Sequence, residues 1–284
     1  MATQKDFSGY TGTWCPGCGD WGIGVAIKSA FVQMGMDPSS VGVVFDIGCS
    51  GNMNDVLNAY AIHGLHGRSV PTAVGMKLAH HKMPVVVIGG DGGLYGEGGN
   101  HFLHASRGNH DITLIAHDNS VYGLTTGQVA PDAQKGYKSK STPQGMIEVS
   151  LNPLALALTQ GASFVAQGFA GDVTALIELI KKAIHHKGFS LVNVLQPCVT
   201  FNKVNTYQYY MQRIYTLDHS YDRTNYKLAL EKTQEFNEEK YPIGILYQSD
   251  RPAYHEQIAH LPQDSSLRER PAFRDFGLLI DDFV

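Results

Sequence analysis

No apolar run in this 284-residue chain approaches the ~20 residues that a membrane span needs. Its first ten residues, Met1 to Tyr10, are polar and lack the apolar core of a signal peptide. Neither spanning nor export is expected, which points to the cytoplasm. A basic surplus is missing too: the formal net charge is −4, which gives no electrostatic case for nucleic acid. Cysteine is scarce, with four in the whole chain, and without an export signal no disulfide framework is expected. Internal repeats and low-complexity tracts are absent. The remaining composition, 43% apolar and 17% charged, is that of a globular protein with one sizeable core or two small ones. Glycine is the residue in good supply: 31 of them cluster where apolar runs end, where a backbone turns tightly or approaches a ligand.

Two of those ends carry chemistry. Pro84 to Ile88 leads into Gly89-Gly90-Asp91-Gly92-Gly93, and Ile112 to Ala116 leads into Asp118-Asn119-Ser120-Val121-Tyr122. Each run reads as a buried strand of a parallel sheet with polar residues at its carboxyl end. Asp91 and Asn119 are 28 residues apart, room for one helix between two parallel strands. Both side chains can therefore meet in the crevice where open α/β sheets bind ligands. A carboxylate, an amide oxygen and nearby carbonyls are hard ligands suited to Mg²⁺. Gly-Asp-Gly is also a common turn and Asp-Asn often just ends a strand, so the pair alone leaves both readings open.

The cysteines add a second pattern. Cys15 and Cys18 stand in Trp14-Cys15-Pro16-Gly17-Cys18-Gly19, while Cys49 and Cys198 each follow an apolar run. A two-residue spacer lets two thiolates reach one metal centre, and four thiolates suit zinc or an iron–sulfur cluster. A structural zinc site more often uses two close pairs, and buried inert thiols would suit Cys49 and Cys198. Spacing alone leaves cluster, zinc and unrelated thiols open.

The chain alternates between periods. Helices are expected at Trp21 to Met36, Asn54 to Ile62, Thr72 to His80, Gly98 to Arg107, Asn152 to Gln160 and Asp172 to His185, the last with Asp172 as N-cap. Strands are expected at Val41 to Phe45, from Pro84, from Asp111, at Ser163 to Ala166, and at Ser190 to Leu195, which closes the sheet. This rhythm predicts an α/β fold with a doubly wound, mostly parallel sheet over residues 1–202. From 203 to 284 the pattern changes to Tyr- and Gln-rich sequence, a polar helix at Tyr226 to Glu239, and scattered prolines at Pro242, Pro252, Pro262 and Pro271. That stretch lacks an obvious core and reads as an irregular or helical arm packed on the domain or on a partner, with disorder as the other possibility.

The Gly-Asp-Gly and the Asn about thirty residues later resemble the signature of thiamine-diphosphate enzymes. Taken in order, the motifs resemble one family, the β subunit of 2-oxoacid:ferredoxin oxidoreductases. They are Trp14 to Asp20, Asp46 to Ser50, His63 to Arg68, Gly75 to Ala79, Gly90 to Gly92, Gly99 to Ala105, Asp118 to Gln128 and Gln196 to Asn202. The resemblance covers nearly the whole chain and implies a thiamine-diphosphate-binding fold. It implies Mg²⁺ held by Asp91, Asn119 and the Val121 carbonyl, and one 4Fe–4S cluster held by Cys15, Cys18, Cys49 and Cys198. Thiamine diphosphate would lie against Ile47, Gly48, Cys49, Ser50 and His66, against Gly90, Asp91, Gly92 and Gly93, and against Asn119, Val121, Gly123, Leu124 and Thr125. Arg68 beside His66 offers a guanidinium for diphosphate, and exposed amides at Gly48 to Gly51 could serve it too. His101 and His104 share a helix face, but two histidines without a third ligand read as packing.

The same resemblance implies oxidative decarboxylation of a 2-oxoacid, with electrons leaving singly through the cluster to ferredoxin and coenzyme A taking the acyl group. The pyrimidine-activating carboxylate would come from an α subunit in a pair of αβ units, so no general base is nominated on this chain. Lys138 to Gly145 and Asn152 to Leu158 are similar to the 2-oxoglutarate branch, with pyruvate the next candidate. Lys138 or Lys140 could balance a second substrate carboxylate, although a solvated basic loop suits them better. Thr126, Asp132, Gly93 and Glu97 depart from the family pattern; the first puts coenzyme A contacts in doubt, and the last adds negative charge near the diphosphate. The alternatives are another thiamine-diphosphate enzyme, such as an indolepyruvate type, and a non-enzymatic metal or electron-transfer protein.

Overall fold

Apolar runs that admit no polar face form a sheet covered on both sides. The computed structural model describes residues 2–235, 240–259 and 261. In chain order come α1 (Gly19–Gln33), β1 (Gly42–Phe45), β2 (Tyr60–His63), α2 (Ser69–Ala79), β3 (Val85–Gly90), α3 (Gly99–Gly108) and β4 (Thr113–Asp118). A two-strand ribbon follows, β5 (Val121–Tyr122) and β6 (Gln128–Val129), then α4 (Pro153–Thr159), β7 (Phe164–Phe169), α5 (Val173–His185) and β8 (Ser190–Leu195). The last elements are α6 (Tyr207–Met211), β9 (Ile214–Thr216), α7 (Tyr226–Thr233) and β10 (Tyr241–Gln248). The main sheet has eight strands in the order β2-β1-β3-β4-β8-β7-β10-β9. The first six are parallel, whereas β10 runs antiparallel to β7 and β9 lies parallel to β10.

Alternate residues of each inner strand feed two cores. Val43, Phe45, Val86, Ile88 and Val192 pack with Ile27, Phe31 and Ile180 of α1 and α5. Val44, Val87, Leu114 and Leu191 pack on the other face with Ala73, Phe102 and Leu158 of α2, α3 and α4. Each such side chain contributes about 1.5–3 kcal/mol by leaving water. Buried on both faces, the strands read as unbroken apolar runs. Asp172 caps α5 as expected, accepting a hydrogen bond from Ala175 N at 3.0 Å.

Three expectations change. The helix expected at Asn54 to Ile62 is a 3₁₀ turn, Gly51–Asp55, followed by β2, whose four residues are all exposed. An edge strand needs no alternating pattern, so its periodicity misled. Ser190 to Leu195 does not close the sheet: β8 sits inside it, between β4 and β7. The C-terminal stretch is drawn into the same sheet as β9 and β10, and Tyr210 and Tyr241 bury against Phe169 and Leu195. Its polar helix ends at Thr233; positions 236–239, Pro262 and Pro271 lie outside the described residues.

From β1 the chain moves outward to β2, then returns past β1 to β3 on the other side. The carboxyl ends of β1 and β3 therefore diverge, and this switch point is where an open α/β sheet leaves a crevice.

Candidate active site

Register builds the crevice. Gly90 pairs with His117, so Asp91 emerges level with Asp118, and Asp118 pairs with Leu195, so Asn119 emerges level with Gln196. Asp91 is 2% exposed and accepts three main-chain hydrogen bonds, from Gly92 N at 2.7 Å, Asn119 N at 2.8 Å and Ser120 N at 2.5 Å. Burial, and then the charge of Asp118, pushes its carboxyl up to about 8 against the pull of those donors. Asp91, Asp118 and Asp132 bring carboxylate oxygens within 4.8 Å of one another, all buried. Burial, with Asp91 and Asp118 as neighbours, also drives Asp132 well upward. Such a cluster favours a cation at its open side.

The crevice is lined by Ile47, Gly48, Cys49 and Ser50 after β1, by His66, and by Gly90, Asp91, Gly92 and Gly93 after β3. Asn119, Val121, Tyr122, Gly123, Leu124 and Thr125 complete it, so every residue expected at the cofactor lines one cavity. Gly48 takes φ +135, a conformation that side chains rarely adopt. Ser50 Oγ is buried in the same wall and has no hydrogen-bond partner among the described residues. An orphaned hydroxyl beside a carboxylate and an amide suits a polar ligand that brings its own oxygens.

Asp46, absent from the residues nominated on sequence, holds the far wall. It is fully buried at the end of β1, and Oδ1 accepts from Ile47 N at 2.8 Å and Gly67 N at 3.1 Å. His66 Nδ1 lies 3.1 Å from the same oxygen, and Ser69 Oγ donates to Oδ2 at 2.5 Å. Asp46 is an acceptor only, so His66 carries its proton on Nδ1 and presents Nε2 for other use. The residue ends an apolar run as Asp91 does, and the same rule would have found it. Tyr122 was also missed: its hydroxyl lies 3.2 Å from both Glu97 carboxylate oxygens, and burial with that charge raises it.

Gly93 explains its own departure from the family pattern. A Cβ there would lie 2.4 Å from Asp46 Oδ1 and 3.3 Å from His66 Cε1. Gly93→Ala is therefore expected to cost about 1–3 kcal/mol, read as a lower thermal midpoint of the chain without ligands.

All four cysteines line a second cavity of about 300 Å³. Cys49, Asn119, Gly123 and Leu124 belong to both cavities, so one wall divides them. A Cβ on Gly123 would sit 3.3 Å from Cys49 Sγ and 3.7 Å from Cys198 Sγ. The four thiols are free. Burial, followed by the Asp20 charge, raises Cys18 and pushes Cys49 up to about 12, while burial raises Cys198. Among the described residues, no three of these sulfurs come within 4.8 Å of one another. Trp14 Nε1 donates to Cys49 O at 2.6 Å and Trp21 Nε1 to Cys15 O at 3.1 Å, so both indoles brace the chamber.

Other expectations part from the crevice. Arg68 is exposed and its guanidinium reaches Gly67 O and Glu97 O at 3.4 and 3.5 Å, outside the lining. Lys138 and Lys140 are exposed on their loop, and His101 and His104 join no metal-binding group among the described residues.

A parallel sheet with a polar crevice at its switch point is the architecture of a cofactor-binding α/β fold, and the sequence assigns its class. Residues 46–194 match the thiamine pyrophosphate enzyme, C-terminal TPP binding domain, and residues 198–263 match the C-terminal region of the pyruvate ferredoxin oxidoreductase beta subunit. The chain is 45% identical over 259 residues to a 2-oxoacid:ferredoxin oxidoreductase subunit beta from Sulfolobus sp, covering 86% of this chain and 85% of that one. It is 43% identical over 272 residues to the counterpart from Saccharolobus solfataricus, covering 91% and 89%. A 2-oxoglutarate:ferredoxin oxidoreductase structure from Magnetococcus marinus, with 2-oxoglutarate, coenzyme A and succinyl-CoA bound, superposes with a TM-score of 0.91 at 34% identity. That match covers 98% of this chain and 95% of the other. The chain belongs to the β subunits of the 2-oxoacid:ferredoxin oxidoreductases.

Proposed function

We propose that this chain is the thiamine-diphosphate-binding half of an enzyme that oxidatively decarboxylates a 2-oxoacid and delivers the electrons to ferredoxin, with coenzyme A receiving the acyl group. The observation that carries this reading is the shared wall: the carboxylate–amide crevice and the four-cysteine chamber have Cys49 and Gly123 in common. Carbon chemistry and electron removal then stand side by side.

Bound thiamine diphosphate supplies the carbon nucleophile and the electron sink for decarboxylation. The chain's own residues bind and orient it. Asp91 and the Asn119 amide oxygen are the side-chain ligands we assign to Mg²⁺, with the Val121 carbonyl as a third, and the ion's charge would offset the buried carboxylates. Ser50 Oγ and His66 are polar contacts available to the diphosphate. For the cysteines we propose a 4Fe–4S cluster over zinc. A single zinc at about 2.3 Å from each sulfur needs the sulfurs about 3.8 Å apart, and the spacing here suits a larger body. Cys15, Cys18, Cys49 and Cys198 would be its ligands.

The chain keeps Asp91 and Asp46 occupied by main-chain donors and nominates no general base. An α subunit would supply that group, in an assembly we propose to be cytoplasmic and built of two αβ units. No described helix is long and apolar enough to cross a membrane. The substrates named for the Magnetococcus marinus structure favour 2-oxoglutarate here, with pyruvate next.

The test is anaerobic ferredoxin reduction by the chain purified with its α partner, supplied with coenzyme A and either 2-oxoacid. Turnover is expected to be faster with 2-oxoglutarate, and absent for the isolated chain. Preference for pyruvate would keep the reaction and change the substrate. No reduction with any 2-oxoacid, despite bound cofactors, would overturn the proposal in favour of a different thiamine-diphosphate enzyme.

A further inference from the structure

Gln196 follows β8 and is 1% exposed. Its main-chain N–H donates to Asp118 O at 2.7 Å, which sets the residue level with Asn119. The side chain lines the cysteine chamber and reaches Asn119, which lines both cavities. At one end Oε1 accepts from Asn119 Nδ2 at 2.6 Å. At the other, Nε2 donates to Cys18 Sγ at 3.2 Å and to Pro197 O at 3.0 Å. The amide has no spare capacity on its nitrogen, because both N–H bonds are used.

The order of these bonds fixes a direction. Pro197 O only accepts, so the Gln196 nitrogen must face it and the oxygen must face Asn119. An oxygen there demands the Asn119 nitrogen, which leaves Asn119 Oδ1 on the opposite side, where Val121 N meets it at 3.1 Å. Space for the bridge is reserved at the start of α1: a Cβ on Gly19 would lie 2.8 Å from Gln196 Cγ. One side chain thus chooses which end of Asn119 is offered to the crevice and supplies a donor to a sulfur in the chamber.

We infer that Gln196 is a positioning residue shared by both cofactors, orienting the Asn119 oxygen toward the metal with its oxygen and stabilising the reduced cluster with its nitrogen. This rests on the proposed assignment of Asn119 to Mg²⁺ and Cys18 to the cluster. Partners one bond away from a metal ligand tune affinity and potential, and an N–H donor to sulfur favours the more negative, reduced state.

Two variants in the complete complex separate the ends. Gln196→Met keeps the length and removes all three side-chain bonds; Gln196→Glu keeps an oxygen toward Asn119 and removes the donor to sulfur and to Pro197 O. The readouts are Mg²⁺-dependent thiamine diphosphate affinity and the cluster midpoint potential from an anaerobic titration followed by electron paramagnetic resonance. Gln196→Met is expected to weaken cofactor binding about 10–100-fold and to move the midpoint negative. Gln196→Glu is expected to hold affinity close to the parent protein and to move the midpoint negative, and the uncharged Met variant shows that lost donation suffices for that shift. Unchanged affinity and midpoint in both variants would overturn the inference, as would a Glu variant that binds cofactor as poorly as the Met one. If Gln196→Met fails to fold, Gln196→Leu, likewise uncharged and without a donor, takes its place. Asn119→Ala and Cys18→Ala serve as controls: if they leave cofactor binding and the cluster intact, the site assignment itself falls, whereas losses there with silent Gln196 variants reject this inference alone.

Discussion

Asp91→Ala is expected to reduce Mg²⁺-dependent thiamine diphosphate affinity by more than about 100-fold, the largest loss any single substitution in the crevice should bring. Residues one shell away from a metal commonly cost 10–100-fold, and a direct ligand should exceed that. Isothermal titration with and without Mg²⁺ measures it. The variant also strands three N–H donors, of Gly92, Asn119 and Ser120. Each stranded donor costs about 1–3 kcal/mol, partly offset by removing a buried carboxylate that Asp118 repels. Asp91→Asn separates the two effects, because its one oxygen still accepts from up to two of the three donors and it lacks the charge. It should lose less stability than Asp91→Ala and still bind weakly, without dependence on Mg²⁺. Binding unchanged in both variants would leave the carboxylate as a turn residue and revive the electron-transfer alternative.

Cys198→Ala is expected to abolish the cluster, and with it essentially all ferredoxin reduction. Cys198 is 8% exposed, and burial raises its thiol against the pull of the main-chain N–H groups of Phe201, Asn202 and Thr200. Alanine loses that ligand while disturbing little else, since Cys198 belongs to a small cluster with Val121, Ala133, Tyr137 and Met146. Iron and acid-labile sulfide analysis gives the direct measurement. A second readout is built in: Trp14 and Trp21 are the only tryptophans of the chain, and both donate to carbonyls of cysteine residues lining the chamber. Their emission, quenched by a cluster, should rise in the variant. Cys198 does not line the crevice, so thiamine diphosphate affinity should change only a few-fold. Full iron and sulfide content in Cys198→Ala would remove it from the ligand set.

The sequence spoke most clearly where burial leaves no choice. Val85 to Ile88 and Leu114 to Ala116 sit between two helical layers, so every position is apolar and the following polar residue marks the strand's end. That rule located Asp91, Asn119, Cys49 and Cys198. It was silent where pairing is one-sided: β2 is exposed throughout, and β10 is half-buried, irregular in register between Ile245 and Tyr247, and carries Pro242 and Gly244. Asp46 and Gln196 also follow apolar strands, so the same rule reaches their positions; what it could not give is their roles. Their partners lie 20 or more residues away, His66 for the first, Asn119 and Cys18 for the second, and only strand register brings them together.

The sheet is finished at both flanks by fragments. β2 has four residues and β9 three, about 13 and 10 Å of ribbon. So short a margin offers few free amides and carbonyls to a neighbouring chain, and a foreign strand laid along it would gain little. Recruitment of a companion by sheet extension is thereby discouraged at each side. Among the described residues, the rim of loops above the strand ends offers shape and side-chain chemistry, rather than backbone pairing, to whatever approaches.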